Sequence, residues 1–170
     1  MSGIGHVAAG FAVKPAAPKI PLWVYLVAAE LIDILSFVFA ALGLESGMKG
    51  MTMDFTQGVR YTQPVSNAWS HSLFMALVWS ILAALLVEWI YHERRESILL
   101  GLVVFSHWLL DLVMHSTLPL FFGNSPRLGL GLENSGPGMI FMTVFDLVLL
   151  AAGIFVYWRG KQAERRRETA

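Results

Sequence analysis

Residues 97–122 read SILLGLVVFSHWLLDLVMHSTLPLFF, and the reading of this stretch decides the fold. A membrane-crossing helix needs about 20 mostly apolar residues, and this run is long enough. Yet it carries His107, Asp111 and His115. An ionisable group inside a span costs roughly 2.5–3.5 kcal/mol even on the mildest insertion scale. Such groups stand where they pair with one another, with water or with a cation. A spacing of four places all three on one helical stripe, drifting about 40° per step. Imidazole and carboxylate together form a nitrogen–oxygen donor set suited to Zn, Mn or Fe(II). The plainer alternative is a polar stripe along a packed helix interface, with His107 and Asp111 hydrogen-bonded within the helix.

Three further apolar windows flank this one. They run from about Ile20 to Leu44, from Ser70 to Tyr91 and from Gly138 to Trp158. Pro18 and Pro21 open the first, while Gly43 and Gly47 flank its end; His92–Glu96 makes a charged turn before residue 97, and Pro137 precedes the last. The expected fold is an all-α integral membrane protein of four transmembrane helices plus a short N-terminal re-entrant or interfacial helix, one domain over residues 1–158, with a polar, basic tail at 159–170 whose terminal part frays. Bulk composition agrees: the chain is 56% hydrophobic and 14% charged, against about 25% charged in average soluble domains. Net charge is zero, which gives no global attraction to nucleic acid. The absence of cysteine excludes disulfides and thiolate ligation. A cleaved signal peptide is not expected, because Ile4–Val13 is short and has no basic residue ahead of it.

Lysine and arginine set the orientation. Lys14, Lys19, Arg94, Arg95, Arg159, Lys161, Arg165, Arg166 and Arg167 would share one side, against Lys49, Arg60 and Arg127 on the other. The positive-inside rule then predicts cytoplasmic termini. Trp23, Tyr25, Trp89, Tyr91, Tyr157 and Trp158 fall near that cytoplasmic interface, where amphipathic rings settle. Ile4–Val13 is too short to span. It is read either as an interfacial helix or as a re-entrant half-helix, which would carry His6 about 12 Å into the bilayer. Glu30, Asp33 and Asp146 also lie inside predicted spans, with His71 at the start of the second and Glu88 near its end. Glu88, His92 and Asp146 read as structural or interfacial, and Met48, Met51 and Met53 as lipid or loop contacts.

Several of these residues recur in a familiar order. Gly5-His6 opens an apolar stretch; Glu30-Leu31-Ile32-Asp33, Ser70-His71-Ser72-Leu73 and Ser106-His107-Trp108-Leu109-Leu110-Asp111 follow. Over residues 5–116 the chain resembles the LexA-regulated, membrane-bound metal-dependent hydrolase family as a divergent member. That family shows an N-terminal Gly-His, a Pro-Asp-x-Asp motif, a His-Arg-Gly-x-Thr-His-Ser motif and a Ser-His-x-x-x-Asp motif. Here the acidic motif lacks its proline, and Ser66 and Asn67 replace the first histidine and arginine of the third motif. The resemblance implies His6, Asp33, His71, His107 and Asp111 as metal ligands, with one metal or two left open. It implies a divalent cation, Zn before Mn or Fe, in a bacterial inner membrane.

On this reading Glu30 or His115 is the candidate catalytic base, and the partners are the bilayer and a lipid or phosphoester substrate. His71 is the awkward ligand, about 14 Å above the midplane. Either residues 65–69 dip inward, which fits the resemblance better, or His71 pairs with His115. The loop Glu45–Trp69 is long enough to cover the site. Two alternatives remain: a small metal- or proton-coupled transporter, and a structural membrane protein with a buried polar cluster.

Overall fold

The computed structural model describes residues 3–46 and 49–169; Gly47 and Met48 lie outside the described residues. In chain order the helices are α1 (Gly3–Val13), α2 (Leu22–Ala29), α3 (Leu31–Ala41), α4 (Ala68–His71), α5 (Leu73–Tyr91), α6 (Arg94–Met114) and α7 (Gly136–Glu168). Two small antiparallel ribbons were not foreseen. The first pairs β1 (Met51–Asp54) with β2 (Gly58–Tyr61), and the second pairs β3 (Leu118–Pro119) with β4 (Arg127–Leu128). Helices α5, α6 and α7 are each long and apolar enough to cross a membrane. Helices α2 and α3 meet the same test only as a pair, bent by 54°.

The centre of the bundle is α6. Leu100, Val103, Val104, His107 and Trp108 are all buried on it, packed by α5 on one side and by α1 and α2 on others. Small residues permit the close approach. A Cβ on Gly101 would stand 2.9 Å from the Ser80 carbonyl of α5, so glycine lets the two backbones touch. The other faces of α5 and α7 stay apolar and exposed, as at Leu77, Ile81, Leu85, Phe141, Val148 and Phe155. Apolar side chains on the outside of the bundle are what lipid contact requires.

Three local expectations are corrected. Helix α6 stops at Met114 rather than continuing to Phe122. Pro119 explains this: its ring would clash with the His115 carbonyl in a continued helix, and it disfavours helical backbone at Leu118. Tyr25 is fully buried rather than interfacial, with its hydroxyl 3.4 Å from the Glu96 carbonyl. Trp23, Trp89 and Trp158 do remain exposed. The basic tail is not a separate segment after the last span but continues α7 to Glu168. Its Lys, Gln, Ala, Glu and Arg residues are strong helix formers, and the Thr169 hydroxyl donates to the Arg165 and Arg166 carbonyls at the helix end.

Helix α1 is not a surface helix. It packs against α2, α6 and α7, with Gly5 so close to Asp146 that any side chain there would meet the carboxylate. The connection from α1 to α2 is fastened to α6: the buried Glu96 carboxylate accepts from the Lys19 and Ile20 amides at 3.2 and 2.9 Å.

Candidate metal centre

Four helices and one helix end deliver the cluster. His107 and Asp111 project from α6 one turn apart, and His115 is the first residue beyond it. Helix α1 lays His6 flat on His107, with ring centroids 3.7 Å apart and planes 12° from parallel. The chain bends at Glu30, which leaves Asp33 in the first turn of α3. A second break at Ser72, whose backbone is extended, separates α4 from α5. Trp79 Nε1 donates to the Trp69 carbonyl and Trp108 Nε1 to the His71 carbonyl, both at 2.9 Å, which pins α4.

This solves the depth problem of His71. The cluster does not lie at mid-span. His107 and Asp111 stand about 20 and 26 Å along α6 from Arg94 at 1.5 Å per residue, near the end remote from the charged turn. Helix α5 begins at that same end, because only His92 and Glu93 join it to α6. The cluster therefore sits level with His71, and no pairing of His71 with His115 is needed.

Asp111 is the hub. Its Oδ2 faces His71 Nε2 and His107 Nε2, each at 3.4 Å. Its Oδ1 faces His6 Nε2 at 3.4 Å and His115 Nε2 at 3.5 Å. Asp33 Oδ1 in turn faces His71 Nε2 at 3.3 Å and His107 Nε2 at 3.6 Å. Two overlapping triads, His6–Asp33–His107 and His71–His107–Asp111, each bring one ligand atom per residue within 4.8 Å of the others. His6, His71, His107 and Asp111 are buried, whereas the Asp33 side chain retains 38% exposure.

The far ring nitrogens fix the tautomers. His107 Nδ1 lies 2.7 Å from the Ala29 carbonyl oxygen, which can only accept, so Nδ1 carries the hydrogen. The Ser70 hydroxyl gives its one proton to Glu45 Oε2 at 2.7 Å; it must then accept from His71 Nδ1, also at 2.7 Å. His115 Nδ1 donates to Glu133 Oε2 at 2.8 Å. With the rings neutral, all three leave the Nε2 lone pair aimed at carboxylate oxygens. Lone pair against lone pair is repulsive unless a cation lies between them.

A proton is the poorer candidate for that cation. Charge-assisted N–H···O bonds run about 2.7–2.9 Å, and the six contacts around Asp33 and Asp111 are all longer. Neighbouring ligands on a cation with bonds near 2.0–2.2 Å stand about 3.0–3.5 Å apart, which fits. Among the described residues, His6 Nδ1, His107 Nε2 and Asp111 Oδ2 are buried with no hydrogen-bond partner. The donor set thus could hold a metal ion, and the bonds to Ala29, Ser70 and Glu133 orient the imidazoles as metal-binding histidines require.

The structure brings together His6, Asp33, His71, His107 and Asp111, with His115 attached through Asp111. Glu30 stands at the α2–α3 break with Oε1 buried and unpartnered among the described residues, outside both triads. Glu88 lies in the last turn of α5, His92 forms the left-handed turn after α5, and Asp146 is buried against Gly5. Sequence reasoning missed Glu45, Ser70, Tyr61 and Glu133. Glu133 is 1% exposed and receives the Tyr61 hydroxyl at 3.4 Å; burial, then the neighbouring Glu133 charge, raise the Tyr61 phenol above its ordinary pKa. A carboxylate within the apolar, glycine-rich run Leu128–Ser135 was the available signal. No family model matches the chain, and neither does any curated protein or solved structure.

Proposed function

We propose that the chain is a membrane-embedded metal-dependent hydrolase, in which His6, Asp33, His71, His107 and Asp111 hold a divalent cation. The observation that carries this is the convergence of imidazole Nε2 atoms on carboxylate oxygens at 3.3–3.6 Å, longer than hydrogen bonds, with His107 Nε2 and Asp111 Oδ2 buried and unpartnered among the described residues. Zinc is the preferred ion because imidazole and carboxylate are its usual ligands in catalytic sites; Mn and Fe(II) accept the same donors. A cation bound there lowers the pKa of a water toward 7 and polarises a phosphoryl or acyl oxygen.

The chain's own residues supply the rest. Ser70 and the Ala29 carbonyl hold two imidazoles with Nε2 inward. Glu30 is the candidate base: its free, buried Oε1 lies one helical turn from Asp33 and is suited to take a proton from water. His115 is the weaker candidate, because Glu133 and Asp111 already engage both of its nitrogens. In the membrane, α2 and α3 together make a fourth, broken span, α1 is a re-entrant half-helix, and both termini face the cytoplasm of a bacterial inner membrane. Asp33 is the exposed edge of the cluster, and its neighbours Ile34, Phe37 and Val38 are exposed apolar surface. An opening bordered by such residues favours a lipid or lipid-linked phosphoester substrate, whose head group reaches Asp33 while its chains stay in the bilayer.

The broken α2–α3 pair with a carboxylate beside the break also suits a cation carrier. One set of samples separates the two. Protein purified in lipid nanodiscs is assayed for metal content and for turnover of phosphoesters and phospholipids, and proteoliposomes are assayed for metal uptake. The hydrolase reading expects turnover that Glu30→Gln abolishes without loss of metal, and metal loss in His107→Ala. Metal uptake without turnover would replace it with the carrier.

A further inference from the structure

We propose that the centre has a second cation position, on the Oδ1 side of Asp111, with His115 and His6 as imidazole ligands and Glu133 backing His115. This rests on the reading of the cluster as a metal centre. The first observation is the division of labour at Asp111. One of its oxygens faces His71 and His107, and the other faces His6 and His115. Counting both Asp111 oxygens, Asp33 Oδ1 and four Nε2 atoms gives seven donors in reach of one another's neighbours. Zinc takes four and at most about five. One ion cannot use this set, whereas two ions bridged by Asp111 can, as in hydrolytic sites of paired metals.

The second observation is His115 itself. It donates Nδ1–H to a carboxylate that is 1% exposed, and its Nε2 points at Asp111. That carboxylate–histidine arrangement is how proteins orient and strengthen a metal-ligating imidazole. A histidine serving only to pack the loop has no use for a fully buried anion behind it.

The third is charge. Asp33, Asp111 and Glu133 bring three carboxylates into one small volume. Among the described residues no lysine or arginine pairs with them: Arg127 donates to the Thr117 and Val65 carbonyls, Lys14 to backbone carbonyls, and Lys19 to Glu93. One divalent ion leaves the site net negative at a depth where uncompensated charge is costly. A second offsets that excess and leaves one positive charge for a bound hydroxide or a substrate anion. The Oδ1 side is the place for it, because Glu133 lies on that side.

The test uses full-length protein in nanodiscs, stripped with a chelator, loaded with Mn(II) and freed of unbound ion. Elemental analysis gives manganese per chain, and low-temperature electron paramagnetic resonance reports whether ions are magnetically coupled. The expectation is two manganese per chain with a coupled spectrum in wild type. His115→Ala should hold one, with the spectrum of an isolated ion. Glu133→Gln should bind the second ion about 10–100-fold more weakly. One manganese in wild type, unchanged in His115→Ala, overturns the second position and leaves the first standing. No manganese in wild type overturns both. The wild-type spectrum alone decides the matter if His115→Ala does not fold.

Discussion

Helices α5 and α6 are neighbours joined by two residues, similar in length and both apolar enough to cross a membrane. Half of the apolar window of α6 is buried, against 22% for α5. The difference comes from small and polar positions, not from hydrophobicity. Gly101 and Ser97 let α6 be surrounded, and His107 and Asp111 give its neighbours something to converge on. Helix α5 carries leucines outward at 77, 82, 85 and 86. In lipid, apolarity says only that a helix can cross; close-packing residues and polar groups decide which one stands in the middle.

The sharpest way to break this comparison is to remove the hub. Asp111→Ala deletes the carboxylate that faces four imidazoles and should abolish metal retention. In wild type, metal at 100 times its Kd should raise unfolding free energy by about 2.7 kcal/mol; thermal melts of Asp111→Ala should show no such gain. A variant that still gains would mean the ligands lie elsewhere. Next, Ser70→Ala cuts the link from Glu45 to His71 Nδ1 and should weaken metal binding about 10–100-fold, read by chelator competition. Gly101→Ala then probes packing alone. Its methyl must displace the Ser80 carbonyl or Ala84, at a cost of about 1 kcal/mol and with metal affinity kept.

On the exposed side, Leu85→Ala should change stability by no more than about 0.5 kcal/mol. A larger loss would show that α5 is covered by another surface. The smallest effect belongs to the β1–β2 turn, remote from both helices. The Thr56 hydroxyl and amide donate to Asp54 at 2.6 and 2.7 Å and hold its carboxyl below the ordinary pKa. A depressed pKa contributes stability above the ordinary carboxylate range and loses it as pH falls through the lowered value. Amide protection factors in residues 51–61, corrected for intrinsic exchange, should fall on acidification in wild type and be pH-insensitive in Asp54→Asn.

Much of the fold was legible because lipid imposes a blunt rule: long apolar runs become helices. The five residues that converge were legible as costly exceptions to that rule and as motifs in a familiar order. What escaped was set by tertiary contact. Nothing at Glu30 announces a break, since neither proline nor glycine stands there, and at Ser72 the one local signal is a serine that caps α5 by accepting from the Met75 amide; each break is visible as such only once Asp33 and His71 have somewhere to go. Glu133 was hidden for a related reason. It lies eighteen residues from His115, in a turn whose register depends on how the β1–β2 ribbon sits against it. Gly58, at a φ of 93°, touches the Glu133–Ser135 backbone with no room for a side chain, and no local pattern foretells that seat.

Glu96 carries a consequence for biogenesis. It lies on α6, yet it secures residues 19 and 20, which leave the ribosome well before it. Until α6 has been inserted, the tether that holds α1 in place does not exist, and His6 cannot be presented. The nascent chain therefore passes through a long interval with no completed chelate. On the metal-centre reading, loading is a late event that follows assembly of the bundle, and the assembled bundle rather than the emerging polypeptide selects the ion.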